Sequence, residues 1–461
     1  LGDVYKRQTQ NKKNTMKQKE ALEHARKEYL ALTFNDVRLR PAHSKYHPDD
    51  VNLDSKFSRN VSLKIPIVSA AMDKVTEYPM AIKLAELGGL GIIHRGLSIE
   101  DQAFHVERVK HYVNGMVENP ITLQENQSVE EVLRMKEEKG YMFNSFPVLN
   151  NTGSLVGIVT GSDFEFNEDA TAEIKDIMSH DVMWAEEGTT LNEAYETMIR
   201  KKKKILPIKD EKGAVVAMYT FKDTKRIRTG IGDMNNIDGR GRLRVGAAIG
   251  TGEEGFERAK KLYGAGVDVV VIDTAHGETE DAITTLTRLK KDYDGKMDIV
   301  VGNVSIGTSA KSLADYGADG IRVGQGPGSI CTTRMVTGIG RPQVSAVYDC
   351  VRAIGSSIPI CADGGLENSG DIPIAIAAGA HSVMMGSMLA GTNEAPGEII
   401  SYDGQQWKAY RGMGSIGAMS AGSANRYFQK NYKDKSKFVP EGVEGRVEYK
   451  GKVSKIIYQL Q

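Results

Sequence analysis

The run Gly326 to Thr333, "GPGSICTT", sets a cysteine where backbone geometry is loosened. A core cysteine normally sits within an apolar strand or helix and behaves as a small hydrophobe. Cys331 instead follows Gly324, Gly326, Pro327 and Gly328, and precedes Thr332, Thr333 and Arg334. Glycines allow conformations closed to other residues, so the loop's amides and carbonyls can face a ligand or an ion. Partial exposure at the start of a following helix would favour thiolate over thiol, and thiolate is a strong nucleophile near neutral pH. The alternative is a core cysteine in a glycine-rich turn. Cys350 and Cys361 read as structural.

A second chemistry lies further on, in "CADGGLENSGD" and "VMMGSMLAGT". Gly364, Gly365, Gly386 and Ser387 offer backbone and hydroxyl donors to an anion, and Asp363 can accept both hydroxyls of a ribose. Together these describe a mononucleotide, or, on the blander reading, tightly packed turns. Asp273 could bind a second ribose or cap the helix that follows it.

These residues need a scaffold that brings them together. Short β-branched runs ending in glycine or polar residues recur at 65–73, 89–96, 244–250, 267–277, 298–304, 320–326, 358–365 and 381–387. Helix-period segments that close in glycine lie between them, as in "EEGFERAKKLYGAG". Eight near-continuous apolar strands predict a (β/α)8 barrel, a TIM barrel, with Asp273, Asn303, Asp363 and Ser387 in one mouth. A doubly wound open sheet is the rival, without its GxGxxG turn after the first strand.

The second and third strands are separated by almost 150 residues, so a domain is inserted there. Within it "FPVLNNTGSLVGIVTGSDF" and "LPIKDEKGAVVAMYTFKDT" match at an offset of 60, each ending in T-x-x-D: Thr160 to Asp163, and Thr220 to Asp223. The repeat resembles a tandem pair of cystathionine-β-synthase (CBS) domains, at 115–173 and 174–230. That resemblance implies adenine or guanine nucleotides as regulators, with each aspartate on a ribose; a purely structural insert is the alternative. "RKKKK" (200–204) reads as a solvated helix end.

Composition narrows the partners. Sixty basic and sixty acidic side chains among 461 residues give no net charge, so a nucleic-acid or anionic-membrane partner is not indicated. No apolar run approaches a membrane span of roughly 20 residues. Three cysteines suggest a reducing, cytoplasmic setting. The first 28 residues form a polar extension whose opening "LGDVYKRQ" reads as a translated linker, with the first methionine at Met16.

The motif "GPGSICTTR", with "YRGMGS" (410–415), "NRYFQ" (425–429), "VPEGVEGRV" (439–447), "LTFNDVRLRPAHS" and "PIVSAAMDKVTE", resembles the IMP dehydrogenase family from about 30 to 460. The resemblance implies a catalytic barrel at 29–114 and 231–461, interrupted by the insert. It implies that Cys331 attacks C2 of IMP, a hydride passes to NAD, and water activated by Arg426, with Tyr427 beside it, hydrolyses the thioimidate to XMP. Thr333 would position or relay for the water, and Glu441 would contact the purine. Met72, Ser329, Tyr410, Arg411, Gly412, Met413 and Gly414 would hold substrate. Asp273, Asn303, Arg322, Gly324, Gln325 and Gly326 would contact NAD, and carbonyls of Gly326, Gly328 and Cys331 would ligate potassium (K+). The long segment 393–450 fits a mobile flap, and the family likeness suggests a homotetramer.

Two features depart from the family pattern. Glu367, in "LENSGD", puts a carboxylate near the expected phosphate. The chain also stops at "KIIYQLQ", where the family continues through another glycine-rich segment, so a fragment is expected. Two rivals remain: a GMP reductase sharing the barrel and cysteine loop, and a nucleotide-sensing protein with an inactive barrel.

Overall fold

The computed structural model describes residues 31–461 except 42, 44, 46, 48, 49, 113–115, 139, 140, 142, 229–233, 428 and 430–433. The polar extension over 1–28 lies outside the described residues. Eight parallel strands close into a barrel: β1 (Ile67–Ser69), β2 (Leu90–Ile93), β3 (Gly246–Ile249), β4 (Val269–Asp273), β5 (Asp298–Val304), β6 (Gly320–Val323), β7 (Ile360–Asp363) and β8 (Ser382–Met385). They pair in sequence order, β2 with β3 across the insert and β8 with β1 to close the ring. All eight predicted strands are present, and the open-sheet alternative is excluded by the closure.

Alternation along each strand decides what the barrel encloses, because successive side chains point to opposite faces. Val270, Ile272, Ile321, Val323, Ile360, Ala362, Val383 and Met385 join the apolar layer beneath the surrounding helices. Val68, Leu90, Ile92, Ala248, Val269, Val271, Val300, Cys361 and Met384 form a second cluster within the barrel. The same inward rows end in polar groups. Val269 and Val271 lead to Asp273, and Cys361 leads to Asp363. The short hairpin Ser55–Lys56 and Ser62–Leu63 adds Phe57, Val61 and Leu63 to the inner cluster. Its Ser58 hydroxyl and Asn60 amide bind Asp298 at the start of β5 (2.6 and 2.7 Å), which plugs the bottom of the barrel. Chemistry is thereby left to the opposite, C-terminal end.

Helices follow the strands, from Tyr78–Glu86 after β1 to Asp371–Ala377 after β7. After β8 there is only one turn, Ser387–Ala390, and the outer helix Val453–Leu460 rests on Tyr78–Glu86. The insert forms two small sheets with separate apolar cores, one around Phe146, Val148 and Val159, the other around Leu206, Ile208 and Ala217. Its first strand, Met116–Glu118, pairs with Val215–Thr220 of the second sheet. The first residues of the insert therefore complete the second lobe rather than the first.

Segment 393–450, expected as a mobile flap, contains a three-stranded antiparallel sheet of β9 (Ile399–Tyr402), β10 (Gln405–Arg411) and β11 (Glu444–Glu448). Between β10 and β11 lie the helix Ile416–Ser420 and the 3-10 turn Ser423–Tyr427.

Candidate active site at the barrel mouth

The C-terminal ends of β4 to β7 carry a knot of charge. Arg322, 1% exposed, points up the barrel axis and donates to Asp273. Its Nε lies 2.7 Å from Asn303 Oδ1 and 3.1 Å from Asp363 Oδ2. Asn303 in turn donates to Asp363 (2.8 Å) and to the Gly324 carbonyl (2.6 Å). The other Asp273 oxygen accepts from Arg426. Burial works against the charged form of Asp273, but Arg426, Arg322 and Arg95 outweigh it and hold its pKa at about 2. Burial likewise disfavours charge on Arg426, and Asp273 reverses this, so the guanidinium titrates above its ordinary value. Arg95, which the sequence reading did not single out, belongs to this knot. Arg322 Nη1 and Arg426 Nε are buried without a hydrogen-bond partner among the described residues, which is the condition of donors facing a ligand site.

Across the mouth stands the cysteine loop. Cys331 is half-buried, while Cys350 and Cys361 are buried and their thiols are pushed by burial to about 12. The helix after Cys331 is a single turn, Thr333–Val336. The thiol sits 3.2 Å from Thr333 Oγ1, which donates to Glu441 Oε2 at 2.8 Å. That chain of two hydrogen bonds exists because the loop is fastened to the strand-like segment 441–443. The Thr332 amide donates to the Glu441 carbonyl (2.9 Å), the Val443 amide donates to the Ile330 carbonyl (3.0 Å), and Cys331 faces Gly442.

The third wall comes from β7, β8 and β1. Gly364 and Gly365 hold φ of +83° and +81°, and the ring of Pro327 lies 3.3 and 3.1 Å from where their β-carbons would be. Any side chain there would be strained in backbone and crowded by the cysteine loop. A β-carbon on Gly386 would lie 2.6 Å from the Tyr410 hydroxyl. Tyr410 is 5% exposed, its hydroxyl donates to Met72 Sδ (3.9 Å), and burial pushes that hydroxyl well above the ordinary range.

One pocket gathers these walls. It is lined by Met72, Asn303, Arg322, Gly324, Gly326, Gly328, Ser329, Cys331, Asp363, Gly364, Gly365, Gly386, Ser387, Tyr410, Gly412, Met413, Arg426, Tyr427 and Glu441. All were named from sequence. Pro327 and Ile330 of the cysteine loop and Leu366 beside Gly365 also line it, as do Ala70, Ala71, Met384 and Met385, which the sequence does not reveal because apolar residues in apolar runs carry no signal that separates lining from core. Tyr427 lies against Gly414, and burial pushes its hydroxyl to about 12 despite Arg426.

Other expected residues fall elsewhere. Arg411 is turned away into an ion pair with Asp73 beyond β1, because that carboxylate is the acceptor its strand register puts in reach. The side chain of Gln325 is committed to Ser305 (2.6 Å) and the Ala275 carbonyl (3.1 Å). Gly414 is behind the lining, its carbonyl accepting from the Glu441 amide (3.0 Å). Asp273 lies beneath the pocket floor, both oxygens taken by arginines. Of the carbonyls expected to hold a cation, that of Gly328 accepts the Cys331 amide (3.0 Å). Those of Gly326 and Cys331 accept nothing among the described residues. Uncharged oxygens left open in a glycine-rich loop fit a monovalent cation. No cluster of three or more His, Cys, Asp or Glu suited to a transition metal occurs among the described residues.

In the insert, Thr160 and Asp163 bond each other at the start of helix Gly161–Glu165 (2.9 Å), and Thr220 donates to Asp223 (2.5 Å). Each T-x-x-D is a helix cap. No helix among the described residues is long and apolar enough to cross a membrane.

The closed barrel and its mouth define a (β/α)8-barrel protein that presents a cysteine wired to a carboxylate. Residues 31–461 match the model of the "IMP dehydrogenase / GMP reductase domain". Inosine-5'-monophosphate dehydrogenase of Aquifex aeolicus is 46% identical over 435 residues, covering 93% of this chain and 87% of that protein. The enzyme of the same name from Bacillus subtilis is 44% identical over 433 residues, with the same coverages of 93% and 87%. A solved Cys-to-Ala variant of GMP reductase from Trypanosoma brucei, in complex with guanosine 5'-monophosphate, superposes with a TM-score of 0.86. It is 39% identical and covers 94% of this chain and 90% of its own. The chain therefore belongs to the IMP dehydrogenase/GMP reductase family.

Proposed function

We propose that this protein oxidises IMP to XMP with NAD, through a covalent adduct on Cys331. The observation that carries this is the chain from Cys331 Sγ through Thr333 to Glu441, in the same pocket as a ribose-type acceptor and neutral phosphate donors. The phosphate is held by the Gly364, Gly365, Gly386 and Ser387 wall and the ribose hydroxyls by Asp363. Cys331 gives up its proton through Thr333 towards Glu441 and forms a bond to C2 of the purine. Bound NAD would supply the acceptor for the hydride leaving C2. Asn303, Arg322 and Gly324 would hold it, and the open Arg322 Nη1 supports a ligand there. Once Glu441 has passed the first proton to solvent, water adds to C2 and gives its proton through Thr333 to Glu441; the carbon–sulfur bond then breaks, the Cys331 thiolate takes a proton back, and XMP is released.

The contact of Arg426 with Asp273 favours the second stage, with the flap seated where cofactor would otherwise meet Asp273. Arg426 is held cationic there, so it serves water as a base only after leaving Asp273, whereas Glu441 is already in line. Potassium at the carbonyls of Gly326, Gly328 and Cys331 would hold the cysteine loop in place. Exposed Met335 and Ile339, beside that loop, fit a face covered in a homotetramer, and three free thiols favour a reducing cytoplasm.

The test is incubation with IMP, NAD and potassium, following NADH absorbance and the adduct by intact mass. NADH and an adduct, both lost in Cys331→Ala, are expected. The Trypanosoma brucei neighbour favours a second reading, GMP reduction. Oxidation of NADPH with GMP, and no NADH from IMP, would establish that instead.

A further inference from the structure

We propose that Glu367 sets this site's grip on the phosphate of its nucleotide, weakening it by charge. The inference rests on the mononucleotide reading of the pocket and deepens it. Glu367 lines the pocket on the β7 side, next to Gly364, Gly365 and Leu366, and it is exposed. Its carboxylate makes no ion pair among the described residues. The loop that carries it is fixed, because the amides of Glu367 and Asn368 both donate to Asp371 Oδ2, at 2.8 and 2.9 Å. Those two amides are therefore spent on a carboxylate and not offered to an anion.

No cation among the described residues pairs with that charge. The pocket lining holds two guanidinium groups, Arg322 and Arg426, and both are paired with Asp273 on the β4–β6 side. Its other charged residues are Asp363, Glu367 and Glu441. Phe34 lies close to Gly365, but Arg38 beyond it turns its guanidinium back onto the carbonyls of Phe34 and Val37 (3.0 and 2.6 Å). The phosphate end is thus a set of neutral donors with an acid at its rim. A dianion bound there feels repulsion from Glu367 and gains no compensating cation. The same penalty acts on product, which carries the same phosphate, and it grows with each further phosphate on the nucleotide.

Titration calorimetry without NAD, using IMP and the phosphate-free nucleoside inosine, reads this directly. Glu367→Gln is expected to tighten IMP by about threefold to tenfold and Glu367→Lys by more, with inosine unchanged. Raising choline chloride at constant potassium should tighten IMP on the wild type and leave Glu367→Gln less responsive, since salt screens the repulsion. Binding of both ligands with the same IMP-to-inosine ratio in wild type and Glu367→Gln would overturn the role of Glu367 and leave the pocket reading intact. If the wild type binds neither ligand, the pocket reading falls, and this inference with it.

Discussion

The barrel mouth and the two T-x-x-D turns of the insert both gather polar residues, and they differ in what is left over. In the turns each threonine and aspartate close on one another as a helix cap, through one oxygen of each aspartate. In the mouth the bonding is denser, yet Arg322 Nη1 and Arg426 Nε stay open and the Cys331–Thr333–Glu441 chain ends in a cavity. Residue types alone made both look like ligand sites. The open donors mark the mouth as a ligand site, because a buried donor without a partner is costly unless something else arrives to satisfy it.

The contrast can be broken most decisively at the nucleophile. Cys331→Ala should reduce turnover by at least about 10⁴-fold and abolish the adduct, as measured by NADH formation and intact mass. Glu441→Gln should leave the thiol in place but remove the proton acceptor of both stages, slowing NADH formation by roughly 10²-fold; unchanged turnover would shift the proton path to Arg426.

The charge knot offers a stability readout. Asp273→Asn should cost about 3–5 kcal/mol in chemical denaturation, because two buried guanidinium groups lose their carboxylate. The folded pKa of Asp273, about 2, lies below its ordinary 3.8, so its contribution is fully present above about pH 5. That contribution, on the order of 2 kcal/mol, is lost as pH falls through 4 towards 2. The variant should lack this share of the wild type's acid sensitivity.

The insert should respond least. Thr160→Ala should lower its unfolding transition by the equivalent of about 1 kcal/mol and no more, by calorimetry. A tightly bound ATP or GTP whose ribose displaces Asp163 from its cap would be weakened by Asp163→Ala; an unaltered affinity would confine the aspartate to capping.

The barrel was legible because buried parallel strands are written as apolar runs with glycine or polar ends, and the polar end of each inward row is where chemistry can stand. Most of the pocket lining followed from the cysteine loop, the two glycine walls and the family motifs. The sheet of β9, β10 and β11 was not legible. Every residue of β9 is exposed, and β11 reads "EGRVE", so no alternation marks a buried face. Partners far apart in sequence were equally hidden. Nothing local to Arg411 announces Asp73, 338 residues away, and nothing near Asp273 announces that Arg426 will occupy it.

The fastening of the cysteine loop to residues 441–443 also governs how this chain can drift. One residue advances an extended strand by about 3.3 Å and turns its side chain to the other face. A single insertion or deletion between Glu441 and Glu444 would therefore carry the carboxylate out of reach of Thr333, even with every catalytic residue retained. Length changes at the turn Lys435–Lys437, a few residues earlier, escape that constraint. Related chains should vary in length on the earlier side of Val439 and hold their count rigidly after it.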